Sequence, residues 1–268
     1  MKPIEAETCV DAWIKACEFL LGQNADNWRA YNVILEIADP LSLPLADRAA
    51  FEILDRFLTQ HGGPSINTVV NTIFPAQLYI KHGPDGIYER YMSEVLPHVA
   101  KHPDCSWGTY FQRIVCRAGP DGNAIYPLRD LVEKLKSQLT LAGPNRAIYE
   151  LGILEPALEI PIYDPTVDRH RPIAGPCLSH VSVKLTADRR VMLTGVYRSH
   201  FYIQRALGNL FGLAHLQHFI AQEAGLQMGP LVCHSTMAQL DWKSNRWGKE
   251  DVRSLIAACM AARRPAAA

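Results

Sequence analysis

The sequence predicts an α/β chain of the α+β kind, and three patterns predict it. Residues 29–37, Arg-Ala-Tyr-Asn-Val-Ile-Leu-Glu-Ile, read as a strand. Residues from His180 alternate and 191–197 alternate less strictly, on the two sides of Ala187-Asp188-Arg189-Arg190, the pattern of a β-hairpin with a charged loop. Apolar residues recur at helical spacing over 8–21, 126–140 and 209–224. No Pro/Gly/Ser-rich linker separates two apolar halves of the 268 residues, which predicts a single domain over 1–268 with a frayed tail at about 264–268.

Composition narrows the function. Lys+Arg and Asp+Glu both number 27, so the chain lacks the basic excess of a duplex nucleic-acid binder, and any anion site is local. The seven cysteines form no CxxC pair and are widely spaced, which argues against a disulfide framework or a cysteine-rich zinc site. The start, Met-Lys-Pro-Ile-Glu-Ala-Glu, has no signal-like apolar core, and no run reaches membrane-spanning length. The expectation is a soluble, cytoplasmic protein that takes neither nucleic acid nor membrane as partner.

In order, Val10, Trp13, Cys17 and Leu20 make one stripe of a first helix that stops at Gly22. The strand 29–37 follows, and Arg29 at its start is a candidate anion contact. A helix is expected over 46–60. Ile66 to Pro75 is rich in β-branched residues but interrupted by two asparagines, and reads either as a pocket wall or as a helix start. Residues 76–100 read as two helical pieces broken at His82-Gly83-Pro84-Asp85-Gly86, and Cys105 to Arg113 as an aromatic–glycine loop. Leu128, Leu131, Val132, Leu135 and Leu139 share one face of the helix 126–140. Beyond the hairpin and the apolar helix 209–224, Leu231 to Thr236 reads as a short strand and Lys249 to Arg263 as a last helix. His215 and His218 form an HxxH with no third ligand at useful spacing, a weak metal signal.

The chemistry concentrates in 172–221. Cys177 stands just before a strand, Arg198-Ser199 ends the next, and Asn209 lies near a helix start. Together they suggest a nucleophile beside groups that hold an anion and a polar heterocycle. Taken alone, Cys177 reads equally as a buried apolar filler. Arg169 and Arg171 read either as a phosphate clamp or as surface-loop charges, and Arg146 as a loop charge or an anion contact.

Pro176-Cys177, Arg198-Ser199, Asn209 and the turn Gly225-Leu226-Gln227-Met228-Gly229, in that order, resemble the thymidylate synthase superfamily, which includes the pyrimidine nucleotide hydroxymethylases. The likeness covers the second half. Upstream, Trp107-Gly108 looks like the family's Tyr-Gly loop, and Pro144-Asn145-Arg146 like the start of its Pro-x-Ser-Arg-Arg phosphate motif.

The resemblance implies a mixed sheet covered by helices on one side, with the other face used for dimerisation. It implies that Cys177 adds to C6 of a pyrimidine nucleoside monophosphate, so that C5 attacks a one-carbon unit from 5,10-methylenetetrahydrofolate. Arg198 would hold the phosphate and promote the thiolate, Ser199 would give the phosphate a hydroxyl, and Asn209 would read the base edge. Arginines from the neighbouring subunit of the homodimer would complete the phosphate site, with Arg146 as one candidate and Arg169 or Arg171 as the second. Gln239 and Asp241 stand where the family has its sugar-binding His-x-Tyr, and Trp107 would line the substrate site.

Four departures accompany the likeness. Leu178 replaces the histidine after the cysteine, and Phe201 stands where the family has an aspartate. Gln239 and Asp241 replace His and Tyr, and the glutamate that activates water has no match: Pro75-Ala76 occupies its place and Glu89 fits poorly. His200, if it admits water to the site, favours hydroxymethylation of (d)CMP or (d)UMP over methylation. The alternatives are a covalent-cysteine enzyme on another small substrate without folate, and a non-catalytic nucleotide-binding homologue.

Overall fold

The computed structural model describes residues 3–101, 108–118, 121–153, 176–242 and 246–263. In chain order the elements are β1 (Ile4–Ala6), α1 (Cys9–Leu21), β2 (Arg29–Ile37), α2 (Leu45–Gln60), α3 (Ile66–Ile73), α4 (Ala76–Asp85), a π-helical stretch Gly86–Val95 and α5 (Leu96–Val99). Then follow α6 (Tyr110–Val115), β3 (Arg117–Ala118), β4 (Ala124–Ile125), α7 (Pro127–Leu139), β5 (Tyr149–Gly152), β6 (Leu178–Leu185), β7 (Arg190–Tyr197) and β8 (His200–Phe201). A π-helical turn Tyr202–Ala206 leads into α8 (Leu207–Ala224), β9 (Gln227–Gln239) and α9 (Lys249–Arg263).

The main sheet runs β1-β2-β9-β7-β6-β5, with β8 paired to β9. It is mixed: β9 is parallel to β7 and antiparallel to β2, while β6 is antiparallel to both β7 and β5. Along most of β6, β7 and β9 sealed residues alternate with half-exposed ones, with breaks at Ser179-His180 and Thr236-Met237. Helix α8 covers the sealed side, with α1 beside it. One face of the sheet is thus under helices, and among the described residues no helix covers the other. Because β7 and β9 are parallel and their outer neighbours run against them, the start of β6, the end of β7, the end of β9 and the start of β2 meet at one end.

Helix α8 is buried nearly all round, as expected for a helix without a polar stripe. Small residues let it approach its neighbours closely. A Cβ on Gly212 would stand 2.8 Å from Ile73 Cβ, and one on Gly195 would stand 2.6 Å from Leu213 Cδ1. Gly212→Val is therefore expected to cost about 1–3 kcal/mol by overpacking the α3–α8 contact. A lower urea midpoint with an unchanged slope is the readout.

The structure settles some open points and corrects others. Residues 66–73 are a helix, because Ser65 Oγ accepts the Thr68 N–H and caps it, and the two asparagines fall on the exposed side. Tyr110–Arg113, expected as the end of a loop, instead open the helix α6, capped by Thr109, whose hydroxyl accepts the Gln112 N–H. The break in 76–100 comes at Gly83, at φ 60°, a conformation glycine adopts readily. Strand β9 is much longer than the six residues expected. Pro230 does not end it, because that proline lies where the register with β7 shifts and beyond the last β2 pair, Ile37 with Leu231. The final helix matches its expected span. Among the described residues, no helix is long and apolar enough to cross a membrane.

Candidate functional site

Cys177 sits at the entry to β6, half-buried, with its backbone held from two sides. Its N–H donates to Tyr110 Oη at 3.0 Å, and its carbonyl accepts the Arg198 N–H at 2.9 Å. Arg198 Nε donates to the Pro176 carbonyl at 3.0 Å. The arginine thus pins the Pro-Cys turn to the end of β7 while its side chain stays exposed. Among the described residues no carboxylate pairs with it. Burial pushes the Cys177 thiol above its ordinary range, and the charges of Arg198 and then Arg205 pull against that rise. Ser199 follows, half-buried, with no side-chain hydrogen bond among the described residues.

Behind this edge lies a buried polar chain. His200 is 2% exposed and stacks on Tyr197 at 4.1 Å with an interplanar angle of 8°. Its Nδ1 meets Ser235 Oγ at 2.9 Å and its Nε2 meets Asn209 Nδ2 at 3.0 Å. The Tyr202 hydroxyl joins Ser235 Oγ at 3.2 Å. Burial drives the His200 pKa down to about 3, so the ring is neutral near pH 7. Asn209 is 4% exposed, and its Oδ1 has no partner among the described residues. The Tyr197 hydroxyl is fully buried and has no partner among the described residues.

Gln239 and Asp241 meet in a cleft of about 290 Å³ with Asn27, Arg29, Phe201, Gln204 and Trp242. Arg29 Nε donates to Gln239 Oε1 at 3.0 Å. Asp241 Oδ1 accepts the backbone N–H of Ile203 at 2.9 Å and of Gln204 at 3.4 Å, tying the end of β9 to the π-helical turn. Burial raises the Asp241 pKa to about 7, against these N–H groups and Arg205, which lower it. The cleft lies two strands from Cys177, about 10 Å by strand spacing. Its lining includes neither Cys177 nor Arg198, so the thiol and the cleft share a sheet end rather than one walled hollow.

The fold therefore gathers Cys177, Arg198 and Ser199 at one edge, with Asn209 behind them and Gln239 and Asp241 beside them. Arg146 is elsewhere. Its carbonyl accepts the Leu185 N–H, at the far end of β6, and its exposed side chain cannot serve the Cys177 of its own chain. Trp107, Arg169 and Arg171 lie outside the described residues. Glu89 is exposed, with its carboxylate 3.8 Å from Arg129. The idea that His200 admits water is corrected, because both ring nitrogens are bonded and the ring is sealed.

Three contributors escaped the sequence reading. Arg205 looks like any helix-surface charge, and only the π-helical turn brings it near Cys177 and Asp241. Tyr110 was hidden in the supposed loop. Ser235 did carry a signal: a serine at an inward position of an apolar strand needs a partner. Among the residues lining the cleft Asp241 is the one carboxylate, and its Oδ1 already accepts two backbone N–H groups. Comparison of the chain with protein-family models and with curated protein sequences gives no match.

Proposed function

We propose that the protein is a pyrimidine nucleotide C5-modifying enzyme of the thymidylate synthase-like kind, transferring a one-carbon unit to C5 through covalent addition of Cys177 to C6. The observation that carries it is a half-buried thiol under two arginine charges, at the same sheet end as a held amide and a polar cleft. A thiolate needs nearby positive charge to form near neutral pH, and a phosphate dianion wants a forked donor. Arg198 serves both, with Ser199 beside it for a phosphate oxygen. Arg29, Gln239 and Asp241 face the sugar-phosphate side, and Asn209 Oδ1 faces the base.

Chemically, the Cys177 sulfur forms a bond to C6, and the C5–C6 π pair moves to C5 as an enolate delocalised onto O4 or its equivalent. C5 then takes a proton from solvent. Loss of the original C5 hydrogen as a proton and cleavage of the S–C6 bond restore the ring. This division into easier steps is what covalent catalysis offers. 5,10-Methylenetetrahydrofolate is the one-carbon donor that the resemblance implies, and the steps above use none. With His200 sealed, the argument from water for hydroxymethylation over methylation lapses, and the product decides between them.

The test is exchange of C5 hydrogen into solvent for dUMP, dCMP, UMP and CMP, with and without the folate. Exchange with at least one nucleotide supports the reading. Binding without exchange favours a non-catalytic nucleotide-binding protein, and neither binding nor exchange ends it.

The open sheet face is the proposed homodimer surface. Ile34, Met192, Val196 and Val232 are half-exposed on it, and Val232 lies between Thr194 and Glu36 in register. Val232→Glu is expected to convert a dimer into a monomer by sedimentation, because it sets a second carboxylate directly across from Glu36 in the interface. A wild-type protein that sediments as a monomer removes the dimer and, with it, any role for Arg146 in a neighbour's site.

A further inference from the structure

We propose that His200 is a positioning residue for base choice: it locks the Asn209 amide in one orientation and so restricts the site to one of the two pyrimidine bases. The inference rests on the nucleotide reading above and deepens it.

Uracil and cytosine differ at the edge a side-chain amide can read. Uracil presents the O4 acceptor beside an N3–H donor, and cytosine presents the amino donor beside the N3 acceptor. An asparagine amide matches either one by turning over, since it carries an acceptor and a donor side by side. A base held through its C6 bond to sulfur and through its phosphate cannot turn its own edge. Base choice then comes down to whether the amide can turn.

In this protein it cannot turn alone. Asn209 Nδ2 lies 3.0 Å from His200 Nε2 and donates to it, so Nε2 carries no proton. The neutral ring then holds its proton on Nδ1 and gives it to Ser235 Oγ, 2.9 Å away. Ser235 Oγ also meets the Tyr202 hydroxyl, at 3.2 Å. Turning the amide would put Oδ1 against a bare nitrogen unless the ring changed tautomer and both hydroxyls rotated with it. Flipping the ring is blocked too, by the stack on Tyr197. Burial keeps the ring neutral, so a doubly protonated imidazole does not enter at ordinary pH. The four groups are buried or nearly so, with no solvent to absorb a mismatch.

The measurement is the ratio of dissociation constants for dCMP against dUMP, and for CMP against UMP, in the wild type, His200→Phe and Ser235→Ala. His200→Phe keeps a ring to stack on Tyr197 and removes both hydrogen bonds, and His200→Gln restores a partner for the amide. The wild type is expected to favour one base by at least about 30-fold, the scale of leaving a buried hydrogen-bonding pair mismatched. In His200→Phe the ratio should fall to within about threefold of unity, through tighter binding of the base formerly rejected; Ser235→Ala should fall between, and His200→Gln should recover part of the preference. Both bases are measured on the same sample, so a loss of folded protein does not move the ratio. A wild type that binds both bases alike, or a His200→Phe ratio unchanged from wild type, overturns the inference and leaves the function standing. Absence of binding by all four nucleotides overturns both.

Discussion

Cys177→Ser is expected to abolish C5-hydrogen exchange, with a fall on the order of 10³-fold or more, because the step depends on sulfur as the attacking atom. The serine hydroxyl is nearly the same size, so the Tyr110 and Arg198 contacts to residue 177, both made by its backbone, should persist. Nucleotide binding is therefore expected to survive within a few-fold, which separates loss of chemistry from loss of the site. The wild type should also show a pH signature. Burial raises the thiol pKa, and the two arginines do not fully offset it, so the free enzyme holds little thiolate at neutral pH. Rate should climb close to tenfold per pH unit from below neutrality until the thiol ionises, then level off. A flat profile from pH 6 to 9, or exchange that persists in Cys177→Ser, would remove the covalent role.

Arg198→Ala should weaken binding of the nucleoside monophosphates by about 10- to 100-fold, the range of one or two charge-assisted hydrogen bonds, while nucleosides change by less than about threefold. Calorimetry on dUMP against deoxyuridine, or on the cytosine pair, reads the contrast. Arg198 has a second duty, since its Nε also holds the Pro176 carbonyl. The alanine variant is expected to slow alkylation of Cys177 by iodoacetamide at pH 7, because the thiol loses the stronger of the two arginine charges that lower its pKa. Arg198→Lys separates the duties: it keeps a charge near the sulfur but cannot grip a phosphate with a fork and reach Pro176 as well. Equal losses for nucleotide and nucleoside would show that Arg198 only braces the turn.

The sequence was most readable where one side-chain period ran unbroken. Helix α7 and the hairpin β6–β7 show this, since their alternation or helical stripe coincides with their buried positions. It was less readable where a single cap or a neighbour decides. Ile66–Ile73 has a strand's composition, but Ser65 supplies the helix start and α8 supplies the packing. Strand β9 runs through Pro230 because β7 shifts register there, which no local pattern announces.

The candidate site divides in the same way. Cys177, Arg198 and Asn209 could be named from residue type and order. That Asn209 is gripped by His200, that the Arg205 charge acts on the thiol, and that Arg146 is at the other end of β6 could not. By itself the sequence determined which segments are helix and strand over most of the described chain, and which reactive residue types it carries. Periodicity and capping act over a few neighbours, so they are written locally. The tertiary structure alone decided who faces whom at the sheet end. That depends on strand order, with β9 inserted between β2 and β7, and on a buried histidine whose two nitrogens are satisfied by residues 9 and 35 positions away.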